Sequence, residues 1–262
     1  MADQLVAQPE LTKFGFDKPI RSVLTASRIL ECIAAAGGQL SLTQIVERSG
    51  VPLTTIHRML QALAQHGYIR QDAESRLYSL GPRLIHLGGT SGRILGSWAR
   101  PYLKRVAEAT GESATLAVLD GLDIVYVAQV PSRHTLRMLT ELGKHIPALG
   151  TAAGEAMLAG LSDDEVKGLI QGHFSRPSVV PPETEVSELL ARLSVIRSRG
   201  YAIEDGERES GVRAFAMVVA GERPMAVSVS GPAARMPFPV AGEYIAVLEA
   251  AVTDLANRSR DQ

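Results

Sequence analysis

The chain has 262 residues, 45% of them hydrophobic and 21% charged, with a net charge of −1. That length leaves room for two domains, and the composition is that of a globular chain with material for apolar cores, not of a disordered or fibrous one. No apolar run approaches the ~18 residues of a membrane span, the first residues lack a basic-then-apolar leader pattern, and a single cysteine, Cys32, excludes an internal disulfide and a multi-cysteine zinc site.

These features lead to the expectation of a cytoplasmic protein with no membrane partner. The small net charge conceals an asymmetry. Residues 20–90 carry seven Lys and Arg against four Asp and Glu (+3), residues 91–262 carry 18 against 21 (−3), and residues 1–19 supply the remaining −1. A basic front part is the sign expected of a nucleic-acid-binding region.

Residues 1–19 show little periodicity and read as a mobile tail. From Ser22, apolar residues recur at helical spacing (Val23, Ala26, Ile29, Leu30, Ile33) until Gly37-Gly38 stops the helix. Cys32 lies within it and reads as a small, partly buried hydrophobe. In SLTQIVERSG, Ser41 and Gln44 have capping-box spacing, and Gly50 ends a short second helix. A third helix follows, with Pro52 in its first turn, where a missing N–H costs nothing, and Gly67 closes it. The extended runs Tyr68–Gln71 and Arg76–Leu80 flank a turn at Asp72-Ala73-Glu74-Ser75 and read as a hairpin.

The third helix has two faces. Leu53, Ile56, Leu60 and Leu63 are expected to form its buried stripe. Thr54, Arg58, Gln61 and Gln65, with Thr55 and His57 alongside, form a polar stripe that contains no carboxylate. A helix presented to DNA needs donors and acceptors on its outer face and cannot place carboxylates against phosphates. In that role Arg58 suits guanine or a phosphate, Thr54 and Thr55 suit phosphates or a thymine methyl, and Gln61 suits adenine. Helix, short helix, tight turn, helix and hairpin in this order make a winged helix-turn-helix. Arg70 and Arg76, on the two arms of the hairpin, are candidates for backbone contact.

Further along, Trp98–Thr110 reads as a helix. Ser113–Val130 reads as two strands around Asp120-Gly121, and Thr135–Thr140 as a third extended run. Gly150–Leu161 is a short alanine-rich helix, Ser162 and Glu165 form another capping box, and Thr184–Arg199 is helical. Strands near Tyr201–Glu204, Val212–Val219 and Met225–Ser230 precede a last helix over about Pro239–Ala256. The expected fold class is α+β: the winged helix-turn-helix, then a mixed antiparallel sheet with flanking helices.

The run LSLTQIVERSGVPLTTIHRMLQALAQHGYI, followed by LYSLGPRLIHLG, resembles the DNA-binding domain of IclR-type bacterial transcriptional regulators. The order G-V/L-P-x-x-T-x-H-R-x-L-x-x-L-x-x-x-G-Y is matched position by position. ATGESATLAVLDGLDIVYVAQV, HIPALGTAAGEAMLAGL, RGYAIEDGERESGVRAFAMVV and AVSVSGPAAR resemble landmarks of that family's GAF-like effector-binding domain. The resemblance implies a winged helix-turn-helix over 20–81, a linker helix over 82–97 and an effector-binding, oligomerising domain over 98–262. It also implies a ligand-responsive regulator, expected to be a repressor of catabolic genes. The implied partners are double-stranded operator DNA, a small effector and further copies of itself, as a dimer or a dimer of dimers.

Carried over position by position, the effector pocket comprises Leu136 and Met138 on one strand, Ala152, Ala153 and Gly154 at a helix start, Glu204, Val212 and Ala214, and Ser228 and Ser230. Two positions depart from the family pattern. Glu155 stands where a lysine is usual, and Ala214 where a cysteine is usual. Together they imply a less positive, more apolar pocket, which favours an aromatic or amide-like effector over a small keto acid.

Two rival readings are weighed. For an enzyme, the Gly-x-Ser-x-Gly, His-Glu-x-x-His and phosphate-loop patterns are absent, and His134, His145 and His173 show no ligand spacing. No catalytic residue, cofactor or metal is therefore expected. For a winged-helix protein adaptor, the acid-free polar stripe on the third helix counts against it.

Overall fold

The computed structural model describes residues 20–173, 183–221 and 224–260. The expected tail over 1–19 lies outside them. Two compact units divide within residues 93–94. No described helix is long and apolar enough to cross a membrane.

The first unit runs α1 (Arg21–Ala35), β1 (Gln39–Leu40), α2 (Leu42–Ser49), α3 (Leu53–Gln65), β2 (Ile69–Gln71), β3 (Tyr78–Leu80) and the start of α4 (Arg83–Gly96). Its local signals act as the sequence indicates. The Ser41 hydroxyl accepts from the Gln44 N–H while the Gln44 side chain accepts from the Ser41 N–H, closing the capping box of α2. Gly50 then turns the chain in the left-handed region, at φ 65°. Pro52 differs slightly from expectation: with ψ 140° it is the extended N-cap of α3 and not its first helical residue.

Ile29, Ile33, Ile45, Ile56, Leu60 and Ile69 are buried in one apolar cluster with Leu40 and Tyr78. Each such side chain contributes roughly 1.5–3 kcal/mol by leaving water. Two residues assigned to buried stripes stay outside: Val23 is 58% exposed and Leu53 is 53% exposed. Both stand in the first turn of their helices, where the turn that would cover them is missing. The hairpin gains a strand that the sequence did not suggest, since β1 pairs with β3 in the order β1-β3-β2.

The second unit contains α5 (Arg100–Thr110), β4 (Ser113–Asp120), β5 (Asp123–Val130), β6 (His145–Pro147), α6 (Ala152–Ala159), α7 (Asp163–His173), α8 (Glu183–Arg199), β7 (Ala202–Asp205), β8 (Val212–Val219), β9 (Met225–Pro232) and α9 (Ala241–Arg260). The six strands form one sheet in the order β6-β5-β4-β9-β8-β7. All of its pairs are antiparallel.

Alternate residues sort the two faces. Leu116, Phe215, Val227 and Val229 pack against α5 and α9, where Phe215 stacks on Tyr244 at 5.7 Å between ring centroids. The opposite face is built of small residues (Ala117, Ala214, Ala216, Ala226) and receives α6, backed by α7 and α8. Every residue of α6 is buried, Glu155 included. Gly154 is what lets it sit so close, because a Cβ there would come within 2.2 Å of the Ala148 carbonyl oxygen.

The expected strand over Thr135–Thr140 is absent, and the edge beside β5 is taken by β6. The alternation of Thr, Leu, Arg and Met there does suit a strand, but side chains hold the segment instead. The Ser113 hydroxyl donates to the Met138 carbonyl at 2.7 Å, and Gln129 both donates to Thr140 Oγ1 and accepts from the Thr140 N–H, at 3.3 Å each.

Candidate functional sites

In the first unit, Ile56 and Leu60 anchor α3 to the core while Thr54, Thr55, His57, Arg58, Gln61 and Gln65 are all exposed. The outer face therefore carries hydroxyls, one guanidinium, one imidazole and two amides. Leu53 joins it at the first helical position, an apolar group on a polar face that periodicity alone assigned to the core. Its place one residue after an N-cap proline was the available signal, because a first-turn residue has no preceding turn to pack under.

The hairpin is braced from within. Asp72 Oδ1 accepts from the Ser75 N–H and the Ser75 hydroxyl, both at 2.8 Å, and from the Glu74 N–H at 3.2 Å. These bonds hold the Asp72 carboxyl below its usual range. Arg76 follows in the left-handed region at φ 58°, with its carbonyl accepting from Gln71 Nε2 at 3.0 Å. Its side chain is exposed, whereas Arg70 Nε donates to Ser79 Oγ at 3.2 Å across the hairpin.

In the second unit, the register brings most of the proposed pocket residues together. Glu204 lies opposite Ala214, which lies opposite Ser230, which lies opposite Ser113, a row across four strands. Ser228 stands one step along on the same face, and its hydroxyl shares a 2.6 Å hydrogen bond with Thr115 Oγ1. Ala152, Ala153 and Gly154 form the first turn of α6 over this face. Val212 is half-buried at the start of β8.

Leu136 and Met138 do not join as expected. They share no strand, and the Leu136 side chain is 70% exposed while its carbonyl accepts from Arg235 Nη2 at 3.0 Å. Met138 is half-buried and is tied to Ser113 through its carbonyl. The structure adds neighbours that sequence reasoning missed. Thr115 enters through the register. Tyr126 enters through the same face, its phenol pushed up to about 12 by burial and by the charge of Glu204, so it remains a neutral donor.

Two carboxylates are buried beside α6. Burial raises both Glu155 and Glu204 above the ordinary glutamate value. Opposing this, Arg192 pairs with Glu155 at 2.9 Å, and backbone N–H groups of Ala152 and Arg208 donate to Glu204. At the end of the sheet, Arg235 forks onto buried Glu112, with Nη2 to Oε2 at 2.7 Å. Gly231 makes room for that pair, since a Cβ there would lie 2.4 Å from Glu112 Oε2. A separate open hollow of about 810 Å³, between α5 and α9, is lined by Tyr102, Arg105, Asp254 and Asn257. The Arg105–Asp254 ion pair crosses it, and it is remote in the fold from the α6 face.

Comparison with known proteins places both units. Residues 22–73 match the IclR helix-turn-helix domain and residues 91–257 match the bacterial transcriptional regulator IclR C-terminal domain. The chain is 31% identical over 228 residues to the transcriptional repressor IclR of Escherichia coli K12, covering 83% of this chain and 82% of that one. Among solved structures, an IclR transcriptional regulator from Alicyclobacillus acidocaldarius is 26% identical with a TM-score of 0.75, over 92% of this chain and 99% of that one. An IclR homologue from Microbacterium hydrocarbonoxydans, solved with 4-hydroxybenzoate, shares the fold at 20% identity and a TM-score of 0.69, over 92% and 100%.

Proposed function

Because the chain belongs to the IclR family of bacterial transcriptional regulators, we propose that α3 enters the major groove and reads operator DNA through Arg58, Thr54, Thr55, His57 and Gln61. Arg76 on the hairpin contacts the flanking backbone. One observation carries this reading: α3 is held in the core by Ile56 and Leu60 on one side and exposes an acid-free row of donors and acceptors on the other. A single small module yields little affinity, so two copies present their helices to half-sites a whole number of turns apart. The helix-turn-helix spans residues 20–81, the linker residues 82–97, and the effector-binding and oligomerising part residues 98–262, acting in the cytoplasm as a dimer or a dimer of dimers.

The effector binds on the α6 face among Ala152, Ala153, Gly154, Glu204, Val212, Ala214, Ser228 and Ser230. The alanine-lined sheet and buried Glu155 favour an aromatic or amide-like molecule, in keeping with the 4-hydroxybenzoate held by the Microbacterium homologue. The Escherichia coli relative is a repressor, and repression of catabolic genes is the mode proposed here. Effector binding shifts DNA affinity only by its preference between the DNA-competent and incompetent states.

Fluorescence anisotropy with duplex from the intergenic region beside its own gene, against random duplex across a salt series, tests the reading. Selective binding with a steep salt slope supports it. Equal binding to both duplexes, with and without small-molecule extract, refutes operator recognition.

A further inference from the structure

The start of α6 is already supplied with negative charge by the chain itself. Glu204, buried on β7, accepts from the first amide of the helix, that of Ala152, and from the Arg208 N–H. Thr151 Oγ1 accepts from the Gly154 N–H, and the Thr151 carbonyl from the Glu155 N–H, both at 3.0 Å. The Glu155 carboxylate, 3% exposed, takes the Gly150 N–H at 3.2 Å as well as Arg192. A helix start normally welcomes an anionic ligand; this one meets an arriving carboxylate with a carboxylate.

The groups around Glu204 offset that charge only in part, through Arg208. From β5 comes the neutral phenol of Tyr126. From the loop after β7 come Arg208, exposed, and Glu207, of opposite effect. On α6 itself, Glu155 is engaged by Arg192. From β8 comes Ala214, with no charge, and from β9 come only the hydroxyls of Ser228 and Ser230.

Resting on the effector pocket proposed above, we infer that the ligand presents a hydrogen-bond donor to Glu204, as a phenol or a carboxamide does. A carboxylate ligand is then taken up only together with one proton from solvent. That proton bridges the two carboxyl groups as O–H···O⁻ and relieves a like-charge contact that neither group can escape by hydration. The Ala152 amide stays with Glu204 in the first case and is shared in the second.

Isothermal titration calorimetry of the full-length protein with benzamide, phenol and benzoate, at about pH 6 and about pH 8 in two buffers of different ionisation enthalpy, tests this. Benzamide or phenol binds with the same Kd at both pH values and exchanges no protons. Benzoate binds with uptake of close to one proton and weakens about tenfold for each pH unit, the slope of a single linked proton. In Glu204→Gln that uptake and slope disappear. Circular dichroism shows whether the variant folds, and if it does not, the wild-type pH series decides alone. Benzoate binding of equal strength at both pH values, without proton uptake, overturns the inference and leaves the pocket standing. Binding of none of the three overturns inference and pocket together.

Discussion

The two units keep their polar groups in opposite places. In the helix-turn-helix unit Ser49 is the one buried polar side chain among the described residues, and the chemistry lies on the surface, on α3 and the hairpin. In the sheet unit the chemistry lies inside. Thr115 and Ser228 pair within the sheet, Glu112 is buried under Arg235, and Glu155 and Glu204 are buried around α6. A surface site can change a side chain without unsettling the fold. An interior one couples ligand, charge and stability, as suits a part meant to respond.

This contrast can be broken experimentally, most forcibly at Arg235. Arg235→Ala leaves the Glu112 carboxylate buried without its cation, which costs about 3 kcal/mol, read by urea unfolding. A loss under about 1 kcal/mol would show that interior charge does not order this unit. At the surface, Arg58→Ala weakens operator binding by about 1–3 kcal/mol, roughly 5–150-fold, measured by anisotropy at moderate salt. Its Tm stays at the wild-type value, and a fall in Tm in place of affinity would reverse the comparison.

A smaller effect sharpens the reading of the outer face. If Leu53 packs on a thymine methyl, Leu53→Ala costs roughly 1 kcal/mol of operator binding. That cost vanishes on a duplex carrying uracil for the contacted thymine, and an equal cost on both duplexes rules the contact out.

The smallest effect concerns Glu204 and pH. Its folded pKa is raised, so its contribution to stability is full below the ordinary glutamate value of 4.5 and is lost as pH rises through the folded value. Glu204→Gln does not titrate. Its Tm relative to wild type should therefore climb as pH rises above 4.5, and a flat difference would mean that Glu204 titrates normally.

The same contrast explains what the sequence made legible. Helical period and caps sorted α3, because a helix buries and exposes residues that are near neighbours in the chain. Ser41 with Gln44, and Ser162 with Glu165, announced their helices for the same reason. Strand pairing is not local. Thr115 and Ser228 meet across 113 residues, and Glu112 and Arg235 across 123, so neither pair could be read without the register. The segment over Thr135–Thr140 misled because its alternation is strand-like while its hydrogen bonds come from Ser113, Gln129 and Arg235. Leu136 and Met138 were assigned to one strand with it. The family resemblance supplied the rest of the proposed pocket residues, which periodicity alone could not have gathered.

The alanine-paved face beneath α6 also bears on re-engineering the protein as a biosensor. Ala117, Ala214, Ala216 and Ala226 are at most 5% exposed beneath it, so a larger side chain at any of them presses on α6. Enlarging Ala214 to valine adds two carbons opposite Glu204 in the sheet, within the effector site proposed above. A graded series at that position would sort candidate effectors by girth, with the outer face of α3 left as it is.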